Sequence, residues 1–171
     1  MKERELRKRC RRLLRDLDIR PPLDVGELCT AFGQYRSRPM RLVSHPLPMP
    51  GPFGVWIRGK HSDYIFYQHE TSPAHQDHII LHEIGHIMAG HHSDEQDDAL
   101  IREIYPDIEP ERVRWLLRRT HYDSLHEQEA ETVATIILEW ASVVDHAAVQ
   151  TAPSAGTERL DAALGERIGW L

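Results

Sequence analysis

The stretch TSPAHQDHIILHEIGHIMAG, Thr71 to Gly90, decides how the chain is read. Thr71 or Ser72 can cap a helix, Pro73 suits its first turn, where a missing N–H costs nothing, and the pattern runs on to about Ala89 or Gly90. At about 100° per residue, His75, His78 and His86 fall within about 40° of His82, while Ile80, Ile84 and Ile87 gather on the opposite side. The spacing predicts a helix with one core face and one face of imidazoles. Within it, His82-Glu83-Ile84-Gly85-His86 has the H-E-x-x-H form. Two histidines one turn apart can reach one ion, and the glutamate between them stands on the adjoining face as a proton acceptor. Imidazole and carboxylate donors favour zinc. His75 and His78 share the face without the glutamate spacing and are read as solvated, or as neighbours of the ligands.

A catalytic zinc needs a third protein ligand and a position open to water. His92 stands where a metzincin would place a third histidine, but Ala89 occupies the position of the turn glycine, Gly90 comes one residue late, and no methionine follows Met88. A glutamate from another helix is the better source, and Ser124-Leu125-His126-Glu127-Gln128-Glu129-Ala130-Glu131 offers three. Glu127 and Glu131 share a face with Ala130, Ala134 and Leu138, whereas Glu129 points about 160° away and is expected to be solvated. The alanines let two helices approach closely. Phase leaves Glu127 and Glu131 both open as the ligand, and Glu127 could instead form a capping box with Ser124.

The rest of the chain bounds the reading. Its 171 residues suit one domain, and 40% hydrophobic with 28% charged residues excludes wholesale disorder. Two cysteines, Cys10 and Cys29, are too few for a disulfide framework or a four-thiolate zinc site. No apolar run approaches the roughly 18 residues of a membrane span, and the basic N-terminus leads into no secretory core, so a cytoplasmic protein is expected. Residues 1–20 hold nine Lys or Arg and four Asp or Glu, a local +5 against −11 for the remainder. Leu6, Cys10, Leu13, Leu14 and Leu17 recur there at helical spacing, predicting an amphipathic helix ended by Pro21 and Pro22. The acidity elsewhere argues against direct nucleic-acid binding.

A second helix is expected over 23–33, capped by Asp24 and stopped by Gly33. Five prolines between Pro39 and Pro52 predict a connector without regular structure. Gly54–Arg58 and Tyr64–Tyr67 predict a β-hairpin. After the histidine helix come short helices over 93–105 and 110–120, a longer one from near Ser124 to about His146, and a tail over 148–171 with a short amphipathic segment. The whole reads as an α+β fold: a mostly helical, zincin-like domain over 1–147, with a small antiparallel hairpin sheet preceding the metal-binding helix.

The pair formed by His82-Glu83-Ile84-Gly85-His86 and Glu127-x-x-Ala130-Glu131-x-x-Ala134 resembles the ImmA/IrrE family of intracellular zinc metallopeptidases, over roughly residues 20 to 140. That family's pattern is H-E-[I/L]-[G/S]-H followed by E-x-x-A-N-x-F-A; here Glu131 replaces the Asn, Val133 the Phe, and Ile137-Leu138-Glu139 the Leu-Met-Pro ending. The resemblance implies a gluzincin-like site in which Glu127 is the third ligand and Glu131, four residues on, orients a ligand histidine. It implies Zn²⁺ as cofactor, Glu83 as general base and then acid, and a specific protein target, often a helix-turn-helix repressor, in place of general digestion. His121, Tyr122 and His126, just before or at the start of the ligand helix, are candidates for stabilising the oxyanion. The hairpin edge suits an extended peptide substrate. The competing expectation is a zinc-binding regulatory module without turnover, such as a toxin–antitoxin partner; an intact Glu83 favours the enzyme, because a structural site has no use for a base.

Overall fold

The computed structural model describes residues 2–47, 52–59, 61–91 and 124–151. Among these, four helices and a three-stranded mixed sheet form an α+β fold. Helix α1 (Glu3–Asp16) buries Leu6, Cys10, Leu13 and Leu14, the predicted stripe, and turns most of its arginines to solvent. It stops short of Pro21: Leu17 closes it and Asp18 takes a left-handed φ of 51°. Arg7 reaches Glu139, on the helix that begins at Ser124, at 3.0 Å. Helix α2 (Val25–Tyr35) begins where the Asp24 side chain accepts the Glu27 N–H at 2.9 Å. Gly33 does not stop it. That glycine lies in the last turns, where a Cβ would stand 2.9 Å from the backbone nitrogen of Met40, so its bareness lets the following chain fold back against the helix.

The hairpin is present as β2 (Gly54–Arg58) and β3 (Asp63–Gln68), antiparallel from Gly54 opposite Tyr67 to Arg58 opposite Asp63. The proline-rich connector, however, is not irregular throughout. It contains β1 (Met40–His45), which runs parallel to β3 from Met40 opposite Asp63 to His45 opposite Gln68 and gives the order β1-β3-β2. Pro39 and Pro46 bracket these six residues without interrupting them, and an edge strand pairs on one side only, so flanking prolines remove nothing from its ladder. The fully buried Asp63 carboxylate locks this edge, with Arg36 at 2.6 Å and Arg38 at 2.8 Å joining the end of α2 to the start of β3.

Helix α3 (Pro73–Ala89) is capped by Ser72, whose side chain accepts the His75 N–H, and ends at Gly90 with φ of 79°. Its buried Ile80, Leu81, Ile84 and Ile87 join α1 and α2 in one core with Val133, Ile136 and Ile137 of helix α4 (Ser124–Thr151). α4 runs beyond the expected end near His146, through the start of the predicted tail. The helices expected over 93–105 and 110–120, and residues 152–171, lie outside the described residues. Among the described residues no helix is long and apolar enough to cross a membrane.

The α3–α4 contact is made backbone to backbone. A Cβ on Gly85 would lie 2.6 Å from the Ala130 carbonyl oxygen and 2.7 Å from its Cα, both below any real contact. Gly85→Ala must therefore push the helices apart, and overpacking costs of about 1–3 kcal/mol exceed the roughly 0.5–1 kcal/mol that alanine gains in helix propensity. Urea unfolding should report a net loss of stability; a variant as stable as the parent would show that the two backbones do not meet here.

Candidate metal centre

That close approach brings side chains from two helices to one point. The Nε2 atoms of His82 and His86 stand 3.1 Å apart. Across from them, Glu127 places Oε2 at 3.2 Å from His82 Nε2 and Oε1 at 3.6 Å from His86 Nε2. Three N and O donors bound tetrahedrally at about 2.0–2.2 Å to one ion would be separated by about 3.3 Å. The observed triangle has those edges, so His82, His86 and Glu127 could hold a metal ion.

The outer nitrogens fix which atoms carry protons. Glu131 Oε2 lies 3.4 Å from His82 Nδ1 and 3.1 Å from His78 Nε2. A carboxylate only accepts, so in the neutral ring that donates to Glu131 from Nδ1, His82 turns a lone pair on Nε2 toward Glu127, the tautomer a metal ligand needs. On the other side Glu129 Oε2 lies 3.1 Å from His91 Nε2, and His91 Nδ1 lies 2.9 Å from His86 Nδ1. In neutral rings, His91 then donates to Glu129 and accepts from His86, which again leaves the inward Nε2 as a lone pair. In those tautomers two lone pairs and a carboxylate edge converge on one small volume, an arrangement that suits a cation. A proton cannot play that part at His86: burial above all, then the nearby His82, His91 and His126, push its pKa down to about 3.

Glu83 sits beside the triangle, buried, with Oε2 lacking a hydrogen-bond partner among the described residues. Strand β2 crosses directly over it. A Cβ on Gly54 would lie 2.5 Å from Ile79 and 2.9 Å from Glu83 Oε1, so only glycine lets the strand come this near, and the Trp56 backbone N–H donates to the carboxyl group. Burial, reinforced by the negative Glu127, raises the Glu83 pKa to about 8 against that hydrogen bond. A cavity of about 330 Å³ opens here between Phe53, Gly54 and Val55 on one side and His82, Glu83 and Glu127 on the other.

The structure thus brings His82, Glu83, His86, Glu127 and Glu131 together, and it separates the two glutamates left open by helical phase: Glu127 faces the inner nitrogens and Glu131 the outer one. His75 accepts or donates at Thr71 Oγ1, 2.8 Å away, and packs on Phe53, while His78 shares Glu131. Two features correct the sequence reading. Glu129 is not a solvated charge: its side chain is 18% exposed and is held by His91. The reason is that the helix contact runs along Ala130, not along the Glu127–Glu131 line; relative to Ala130, Glu127 and Glu131 lie about 60–100° to one side and Glu129 about 100° to the other, so both flanks reach around α3.

The second is His91, a residue the sequence reading passed over. Gly90 turns the chain so that the His91 N–H bonds the His86 carbonyl at 3.0 Å and the Gly90 N–H bonds that of Ile87, a Schellman ending that returns His91 to the site of His86. The signal was a glycine helix stop followed at once by histidine. His126 stacks on His91, ring centroids 4.1 Å apart, and is absent from the cavity lining. Tyr122, His121 and His92 lie outside the described residues. No protein-family model matches the chain, and a search of the curated proteins finds no relative.

The two site groups with the largest shifts, Glu83 and His86, set opposite pH dependences in metal-free protein. Glu83, with an ordinary value of 4.5 raised to about 8, stays protonated when folded, so stability falls as pH rises from about 4.5 to about 8. His86, lowered from 6.5 to about 3, makes stability rise with pH over about 3 to 6.5. The two slopes oppose each other between about 4.5 and 6.5, and above that the Glu83 slope remains. Urea titrations of chelator-treated protein should show the folding constant falling toward tenfold per pH unit between about 6.5 and 8, and Glu83→Gln should flatten that slope. A slope unchanged in the variant would mean that another group causes it.

Proposed function

We propose that the protein is a zinc-dependent peptidase of the ImmA/IrrE type, with His82, His86 and Glu127 as ligands and Glu83 as the group that moves the proton. The observation that carries this reading is the convergence of two imidazole nitrogens and the Glu127 carboxylate beside a buried glutamate with an oxygen unpartnered among the described residues. Two imidazoles and one carboxylate are the donor set of zinc peptidases, and three protein ligands leave a place for water. When bound, zinc supplies a Lewis acid for the scissile carbonyl and lowers the pKa of water toward about 7.

Glu83 acts on the proton. Its high pKa comes from burial and from the Glu127 charge; with Glu127 neutralised by a dication, Glu83 ionises more readily and can take a proton from water near neutral pH. The same burial keeps the accepted proton on the carboxyl group, where it is available to the leaving amine. Glu131 holds the His82 ring through Nδ1. Strand β2, at the edge of the sheet, runs along the cavity at Gly54 and Val55, where an extended peptide can add as a further strand. The ImmA/IrrE likeness makes a helix-turn-helix repressor the target class to offer, and it carries with it an intracellular site of action.

Glu83→Gln should keep stoichiometric zinc and lose cleavage of such a target by at least about a hundredfold, the lower end for removing a general base. Glu127→Ala should lose the zinc itself, measured by metal content of the purified protein. A Glu83→Gln protein that matches the parent in every assay of its target would instead assign the site to a regulatory module that binds without turnover.

A further inference from the structure

We infer that Glu129, acting through His91, is the main device that presets His86 as a metal ligand, so that retention of the ion depends on a carboxylate two residues from a ligand yet on the opposite flank of α4. The inference rests on the metal-binding reading above. It makes Glu129 and His91 positioning residues; neither needs to touch a substrate.

The two ligand histidines are held in unequal ways. His82 is held directly, but by a carboxylate with competing demands: Glu131 Oε2 is shared with His78, the closer partner at 3.1 Å against 3.4 Å, and the Glu131 side chain is 51% exposed. Water can compete for that oxygen, and an exposed charge-assisted contact is weak. The His86 arm is different at every step. Its ring is 1% exposed, His91 is almost as buried, and the two links measure 2.9 and 3.1 Å. Away from water such hydrogen bonds are stronger and each polarises the next.

The direction of the arm follows from its end group. A carboxylate cannot donate, so with His91 neutral Glu129 fixes its proton on Nε2, and His91 Nδ1 then accepts. His86 must turn its N–H outward and its lone pair toward the Glu127 oxygens. Remove the Glu129 charge and His91 can carry its proton on either nitrogen. One of those forms sets N–H against N–H at the 2.9 Å contact and is relieved when His86 turns its proton inward, the state that cannot bind a metal. His126, stacked on His91, and the Schellman turn at Gly90 hold the intermediate ring between its two partners.

Outer-sphere partners of metal-bound histidines typically account for about 10–100-fold in metal affinity. Zinc affinity is therefore to be measured by competition with a chromophoric chelator for the full chain and for Glu129→Gln, which preserves shape and removes charge. Glu129→Gln should bind zinc about 10–100-fold more weakly, and Glu131→Gln should lose less. In a His91→Asn background, where the amide oxygen can still accept from His86 but the link to Glu129 is cut, Glu129→Gln should have no further effect. A merely structural role for Glu129 would persist in that background. Affinity within twofold of the parent for Glu129→Gln, or a full further loss in the His91→Asn protein, overturns the inference while leaving the metal site intact. A parent protein that binds no zinc removes both.

Discussion

Everything at the site depends on how near α3 and α4 come at Gly85 and Ala130. Where a Cβ would lie 2.6 Å from a carbonyl oxygen, the pairing tolerates no side chain on one helix and only a methyl group on the other. Short side chains from α4 can then reach past the contact line to imidazoles on α3. A glutamate extends only a few ångströms beyond its Cβ, so a helix pair spaced by leucines would hold the carboxylates too far from both rings. Interaxial distances follow the side chains at the contact. The glycine within the histidine motif therefore sets a distance as well as filling a position.

From that spacing follows an electrostatic design with an outer and an inner layer. Two carboxylates on opposite flanks of α4, Glu131 and Glu129, orient the rings from outside, one directly and one through His91. The third, Glu127, meets the inward nitrogens. In the neutral tautomers that donate to the outer carboxylates, the inner set turns two lone pairs and a carboxylate edge toward one point, and burial opposes a proton on His86. The apolar packing of Ile80, Ile84, Val133 and Ile137 holds together the two helices that carry these donors.

Much of this was legible in the sequence, and the parts that were not share a cause. The α3 boundaries, its bipolar faces, and the histidines and glutamates that could hold a metal follow from periodicity, since a helix converts spacing into direction. What periodicity cannot give is the line along which two helices touch. Phase grouped Glu127 with Glu131 correctly but took their shared face as the contact, which left Glu129 to solvent; the contact through Ala130 brings it to His91. His91 escaped because its position is set by a turn, not by a repeat. Strand β1 escaped for a related reason: Leu42 and Val43 adjoin each other instead of alternating, and the prolines on either side dominate the local signal. Its parallel pairing with β3 depends on residues some twenty positions away, together with the buried Asp63 that two arginines clasp.

Glu83 ties the sheet to this chemistry. A buried carboxyl group costs least when protonated, yet a general base is useful only when ionised. The site balances the two with small terms. One backbone N–H from Trp56 favours the carboxylate, Glu127 opposes it, and Gly54 brings β2 close enough to exclude water. A dication at the inner donors would reverse the sign of the Glu127 contribution and leave the hydrogen bond unopposed except by burial. Metal occupancy and ionisation of Glu83 would therefore rise together: the metal-free chain would keep the proton, and a loaded chain would hold the carboxylate form, able to accept one, beside strand β2. One carboxylate beside another, with a strand laid across both, is sufficient to couple them.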